Sequence, residues 1–124
     1  MKTRSFYISL LLVLMGFASC QNTVKSKFEI VNKSNQTIDS LSIEPNVSKD
    51  GKYVSINSGE TKVYLADMTN IPKIDGSYTL TFKIGAIRRI KSFGYYTNGY
   101  PLEKLTTITI EPDTIKFNLI ISKK

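Results

Sequence analysis

The feature that most limits what this chain can fold into is a period of two. From Tyr78 to Ile84 the large apolar residues Tyr78, Leu80, Phe82 and Ile84 alternate with Thr79, Thr81 and Lys83. An extended backbone gathers the first set on one face and the second on the other, whereas a helix would scatter both around its circumference. β-Branched and aromatic side chains dominate the run, as a half-buried pleated surface favours. The alternation recurs in shorter runs along the chain, and beyond Cys20 no stretch shows a 3.6-residue period. Glycine, proline, asparagine and aspartate punctuate the runs about every ten residues, the pattern of an all-β domain built from short strands.

Taken in order, Phe28 and Ile30 alternate with Lys27 and Glu29. Asn32 to Gln36 is turn-like, because Asn and Ser side chains bond to nearby backbone. Ile38, Leu41 and Ile43 define a second strand, and the differing parity of Ile38 and Leu41 predicts a bulge near Asp39-Ser40. Pro45 to Gly51 reads as a loop ending in an Asp50-Gly51 turn. Val54 and Ile56 form a short strand halted at Asn57-Ser58-Gly59-Glu60. Val63 and Leu65 then point one way, with Lys62, Tyr64 and Ala66 the other. Thr69 to Gly76 is the longest irregular connection and leads into the Tyr78–Ile84 strand.

Asn98-Gly99 separates two extended segments, Ile87 to Thr97 and Tyr100 to Ile110. It is the strongest hairpin signal in the chain, since both central positions of a type I′ turn need positive φ. A strict two-residue register pairs Thr97 with Tyr100, Phe93 with Lys104 and Arg89 with Ile108. That register gathers Arg89, Ile108 and Ile110 on one face and sends Ile90 to the other, so neither face is cleanly apolar. A bulge at Gly94, or an early end to the pairing, is therefore expected. After Glu111-Pro112-Asp113 the last strand turns Ile115, Phe117, Leu119 and Ile121 inward and Lys116, Asn118 and Ser122 outward. Seven or eight such strands predict a single antiparallel β-sandwich over residues 28–124.

The N-terminus has a different grammar. Lys2 and Arg4 precede an apolar run from Phe6 to Phe17, broken only by Ser9 and Gly16 and too short for a comfortable membrane span. Phe17-Ala18-Ser19-Cys20 ends it at the only cysteine of the chain. This order resembles the signal of bacterial lipoproteins, whose lipobox is Leu, two small residues and Cys. Ala18, Ser19 and Cys20 match, and Phe17 stands where the family prefers Leu. The resemblance implies that residues 1–19 are removed, that a diacylglycerol is attached to the Cys20 thiol, and that the new amine carries an acyl chain such as palmitate. Membrane lipid is then the first partner. Gln21 stands where some bacteria read an acidic retention signal, which by resemblance points to the outer membrane. The absence of an acidic cluster after Cys20 points to its periplasmic face. The competing reading is an ordinary secretory signal cut near Ala18 or Ser19, which leaves a free thiol. Gln21 to Lys27 is polar and reads as a tether of roughly 25 Å at full extension, making residues 20–27 a lipidated linker. Two short segments, Asp75-Gly76-Ser77-Tyr78-Thr79-Leu80 and Ser58-Gly59-Glu60-Thr61, resemble a strand start and an inter-strand turn of immunoglobulin-like and transthyretin-like bacterial domains. They imply that architecture for the sandwich.

Composition narrows the chemistry. Residues 20–124 keep 15 Lys and Arg against 10 Asp and Glu, a net charge of +5 that suits anionic headgroups, acidic glycans or an acidic protein. Nucleic acid does not fit an exported chain. There is no histidine, so neither a Ser-His-Asp arrangement nor an imidazole zinc site can form. No glycine-rich phosphate loop occurs. The acids are scattered, and Asp50, Asp75 and Asp113 sit in turns that explain them. A carboxylate-dependent hydrolase thus remains a distant reading, and no catalytic residue or cofactor is assigned beyond the lipid on Cys20. The Asp67–Asp75 loop, with Asn70, lacks the alternating acidic spacing of calcium loops, so no metal site is expected. Asn32, Asn35 and Asn46 each begin an N-x-S/T triplet and read as turn residues.

One cluster suits binding. Arg88, Arg89 and Lys91 lie close in sequence to Phe93, Tyr95, Tyr96 and Tyr100. Aromatic faces beside cations suit a glycan or an acidic envelope protein. The same residues equally suit cross-strand pairs that stabilise a hairpin, with the cations blunting a sheet edge. A binding module should show this patch without a deep pocket, a module holding a small molecule or ion should show an apolar cavity, and a hydrolase should show two carboxylates converging in a cleft.

Overall fold

A computed structural model describes residues 22–121. The signal segment, Cys20 and Ser122 lie outside the described residues. Nine strands form two sheets. The first sheet has the order β4-β1-β8-β9, from β1 (Lys25–Asn32), β4 (Thr61–Asp67), β8 (Glu103–Ile110) and β9 (Ile115–Ile121). The second has the order β3-β2-β5-β6-β7, from β2 (Ile38–Glu44), β3 (Val54–Ile56), β5 (Gly76–Ile84), β6 (Ile87–Thr97) and β7 (Tyr100–Pro101). The inner faces supply one core. Phe28, Ile30, Tyr64, Ala66, Ile108 and Ile110 come from the first sheet, and Ile38, Leu41, Ile43, Tyr78, Leu80, Phe82 and Phe93 from the second. Aromatic rings meet at its centre: Phe28 lies edge-on to Tyr78 and Phe93, with centroids 5.1 and 5.7 Å apart. Such geometry adds about 0.5–1.5 kcal/mol per pair beyond area burial.

The all-β reading holds, with two differences in the strands. The count is nine because Tyr100-Pro101 pairs briefly with Tyr96-Thr97 as a strand of its own. The pairing is also not wholly antiparallel, because β1 lies parallel to β8, with Phe28 opposite Thr106 and Ile30 opposite Ile108. Alternation has the same period in both kinds of ladder and so cannot distinguish them. The expected tether is shorter than its sequence suggests. β1 begins at Lys25, Ser26 is buried, and the Val24 N–H already donates to Thr69 Oγ1 at 3.0 Å. The folded body therefore starts before Phe28.

The bulge at Asp39-Ser40 is present, with Ser40 at φ 51° and the register against both β3 and β5 shifting there. Asn98 and Gly99 both have positive φ and close the Thr97–Tyr100 pair. The pairings of Phe93 with Lys104 and of Arg89 with Ile108 do not form. Instead β8 crosses to the first sheet, where Ile108 and Ile110 are buried beside β1, while β6 pairs along its length with β5. The crossing resolves the conflict of parity that a strict hairpin would impose. Gly94, at φ 62°, carries a bulge on the β5 side of β6. In β4 the inward pair is Tyr64 and Ala66, leaving Val63 and Leu65 outside. In β9, Ile115 and Phe117 are half-buried, but Leu119 is 44% and Ile121 68% exposed. The strand is the edge of its sheet, and its far half, Leu119 to Ile121, stays exposed.

Candidate functional site

The two flanks of the body differ. On the β4 side, Asn46 joins the sheets: its Nδ2 donates to Tyr64 Oη at 2.9 Å, and its Oδ1 accepts the Asp67 N–H at 3.0 Å. Tyr64 then donates to the Lys52 carbonyl at 2.7 Å, and the Val47 N–H to the Asp67 carbonyl at 2.8 Å. On the other side β6 and β9 are not hydrogen-bonded to each other; β9 is an edge strand, and the second edge of β6 is paired only at Tyr96 and Thr97, with β7.

Register decides what fills that open flank. β5 turns Tyr78, Leu80, Phe82 and Ile84 inward, and opposite them on β6 stand Phe93, Lys91, Arg89 and Ile87. Residues directly opposite in an antiparallel ladder share a face. Arg89 and Lys91 therefore belong to the inner face, at a place where the sheets have parted. They line a cleft of about 350 Å³ with Ile90, Asp113, Thr114 and Ile115. Arg89 also borders a second cleft of about 220 Å³, beside Gln36, Ile84, Ile87 and Pro112. Among the described residues neither Arg89 nor Lys91 takes part in an ion pair; the pairs are Lys52–Glu44, Lys62–Glu60 and Lys116–Glu111. The larger cleft has one carboxylate on its wall, Asp113. A planar guanidinium and a mobile ammonium with a single acid between them make a site for carboxylate, sulfate or phosphate groups.

The seven residues singled out in the sequence separate into four environments. Arg89 and Lys91 line the cleft, and Arg88 is exposed on the outer face opposite Lys83. Phe93 is a core residue, stacked on Phe117 at 4.6 Å and 13° and packed against Tyr78. Tyr96 is half-buried over Tyr78, with centroids 5.5 Å apart. Both belong to the structural reading of the aromatics. Tyr95 and Tyr100 are exposed, beyond the bulge and at the opposite end of β6 from Arg89. Tyr95 donates to Asp75 Oδ2 at 3.3 Å, and the Lys73 ammonium lies 4.6 Å from the centroid of the Tyr100 ring. The bulge at Gly94 is what divides the cluster, because it changes the parity of everything that follows.

The acids are engaged elsewhere. Asp67 Oδ1 accepts the Thr69 N–H at 2.9 Å, and bonds from Thr69 hold its carboxyl below the usual range. Asp75 Oδ1 accepts the Asn98 N–H at 2.9 Å. No cluster of three metal-ligating side chains occurs among the described residues. Buried Glu103 accepts the Tyr95 N–H through Oε1 at 3.2 Å, and its Oε2 has no hydrogen-bond partner among the described residues. Sequence reasoning did not single out Ile115, Thr114 and Asp113 as neighbours of the cations. They sit in and after a turn whose packing against β6 has no local signal. No family model matches the chain, and no curated protein matches it.

Proposed function

We propose that this protein is a lipid-anchored component of the bacterial cell envelope, held through Cys20 in the outer membrane on its periplasmic side, whose β-body binds a partner without catalysing a reaction. The lipobox-like Ala18-Ser19-Cys20 carries the anchor, with residues 1–19 as its removed signal. The open, cation-lined flank carries the binding half. Arg89 and Lys91 line an open cleft and take part in no ion pair among the described residues, which leaves both cations available to an anion from outside. An acidic envelope protein or an acidic glycan has that chemistry; nucleic acid does not fit an exported chain. The two-sheet body is further read as immunoglobulin-like or transthyretin-like. That reading rests on Asp75–Leu80, which opens β5, and on Ser58–Thr61, which turns β3 into β4.

The second reading, a module that holds a small molecule or ion, calls for an apolar cavity. The cleft of about 350 Å³ has the size of a small-ligand site, but its lining by Arg89, Lys91, Asp113 and Thr114 beside Ile90 and Ile115 suits only a small anion. A hydrolase is disfavoured by the single carboxylate of the cleft, because glycoside hydrolysis needs two.

Metabolic labelling with a clickable fatty acid tests the anchor. The wild type is expected to take the label and Cys20→Ala to lose it. Equal labelling of the two overturns the lipoprotein reading.

A further inference from the structure

The N-terminus of β1 lies at one end of the body, and register identifies what surrounds it. Lys25 stands opposite Asp67, and Glu103 opposite Ile121. Since β1 and β8 run parallel with Phe28 opposite Thr106, Lys25 and Glu103 are level. In the second sheet Gly76 pairs with Tyr96, and the Ser26–Tyr78 bond of 3.1 Å brings that end of β5 to the same height. The Thr69–Asp75 connection and the Asn98-Gly99 turn complete this end, joined by the Gly99 N–H donating to the Ile74 carbonyl at 3.0 Å.

This end presents apolar groups to solvent that the fold does not cover. Ile74 is 60%, Tyr100 49%, Leu102 45% and Ile121 68% exposed. Lys73 and Lys104 stand among them. Of the acids of this end, Asp67 and Asp75 accept backbone N–H groups and Glu103 is buried, while exposed Asp50 lies in the loop that Val47 ties to the Asp67 carbonyl. The part of the rim around Lys73 and Lys104 is therefore apolar and cationic.

The length of chain outside the described body names the occupant. Val24 is the first residue fixed to the body, and four residue steps from Cys20 to Val24 span at most about 14 Å. A lipid on Cys20 thus holds this end within reach of the headgroup layer, which is itself roughly 5–8 Å thick on each side of the hydrocarbon. Tyrosine and lysine suit that layer, because each has an apolar body and a polar tip.

We infer that this end is a membrane-docking face: Ile74, Tyr100, Leu102 and Ile121 rest in the headgroup region, and Lys73 and Lys104 contact anionic lipid phosphates. The inference rests on the lipid anchor at Cys20. Docking fixes the orientation of the domain. The strands stand away from the bilayer, and Arg89, opposite Phe82 and six residues up β5 from Gly76, is lifted about 20 Å above the docked rim. The cation-lined cleft then opens sideways, clear of the lipid.

The test uses the full-length protein, lipidated in cells and reconstituted into phosphatidylethanolamine–phosphatidylglycerol vesicles. Lipidation consumes the only native thiol, so Leu102→Cys introduces a single reactive site for an environment-sensitive fluorophore. Ala86→Cys, in the exposed turn after β5, serves as the remote control. At position 102 the emission is expected to shift to the blue and to be quenched several-fold more strongly by spin-labelled lipid than at position 86. Lys73→Glu combined with Lys104→Glu should reduce that shift. Equal, water-like signals at 102 and 86 in protein that floats with the vesicles overturn the docking face and leave the anchor standing. Protein that does not float, and whose Cys20 reacts with the dye, removes the anchor and the docking face together.

Discussion

The closed and open flanks of this body solve one problem in opposite ways. Both must finish a sandwich whose sheets end in unpaired backbone. The closed flank does so with side-chain bonds to backbone: Asn46 Oδ1 accepts the Asp67 N–H, Tyr64 Oη accepts the Ile43 N–H, and Glu44, ion-paired with Lys52, accepts the Asn46 N–H. The open flank is finished by a single apolar contact, Phe93 on Phe117, beyond which the inner face changes from apolar to cationic. Charged side chains on a free edge suppress pairing with other chains, as edge strands require. At Arg89 and Lys91 the same charges point inward, and neither takes part in an ion pair among the described residues. The apolar core and the cation-lined cleft thus meet within two residues of β6, with Phe93 on one side of the boundary and Lys91 on the other.

Substitutions on each flank test that boundary. The largest effect belongs to Phe93→Ala. Removing a buried ring that stacks on Phe117 and packs on Phe28 and Tyr78 should lower stability by about 3–5 kcal/mol in urea unfolding. A loss below about 1 kcal/mol would assign Phe93 to the surface instead. Next, Asn46→Ala should lose about 2–3 kcal/mol, because it leaves the Asp67 N–H without its acceptor and takes one of three hydrogen bonds from the buried Tyr64 hydroxyl. Asn46→Asp, which keeps the acceptor but not the donor, should retain part of that loss.

A smaller effect tests whether the open flank is dry one layer in. Tyr78 lies behind Phe93 and Tyr96, and burial, opposed by its bond with Ser26, pushes its hydroxyl up to about 12, with Glu103 and Tyr96 adding to the rise. The unfolded chain ionises this group near 10. Its contribution is therefore intact below about pH 10 and is lost as pH rises toward 12, by roughly 2 kcal/mol. Unfolding measured between those values should show a steeper decline for the wild type than for Tyr78→Phe, and parallel curves would mean that water reaches the hydroxyl. The smallest effect on stability is expected of Arg89→Ala combined with Lys91→Ala, within about 0.5 kcal/mol. The same variant should lose capture of an acidic partner in affinity pull-downs. Undiminished capture would place the recognition elsewhere.

How much of this was legible in the sequence follows from which signals are local. The Tyr78–Ile84 alternation, the parity break at Asp39-Ser40 and the positive-φ pair Asn98-Gly99 are each set by adjacent residues, and the structure shows all three. What depends on distant partners was not legible. Nothing near Lys25 and Ser26 distinguishes a tether from a strand, because Ser26 becomes a strand residue by pairing with Ala66 of β4 and its side chain bonds Tyr78, 52 positions away. Asn46 looks like a turn residue and acts as the seam between sheets. The Arg/Tyr cluster reads as one patch, because the bulge at Gly94 that splits it changes direction without changing composition. Leu119 and Ile121 follow the inward parity of β9 and yet stay exposed, since parity gives a direction but not whether anything lies there.

The position of β1 has a mechanical consequence. The strand that leads out to Cys20 is not at an edge: it is gripped between β4 on one side and β8 on the other, with ladders along most of its length. A pull along its N-terminal segment acts parallel to the strand and across both ladders at once. The load falls on all of those hydrogen bonds in shear, rather than peeling them one after another. Drag on the domain is thus borne by an inner strand of its sheet rather than by an edge strand.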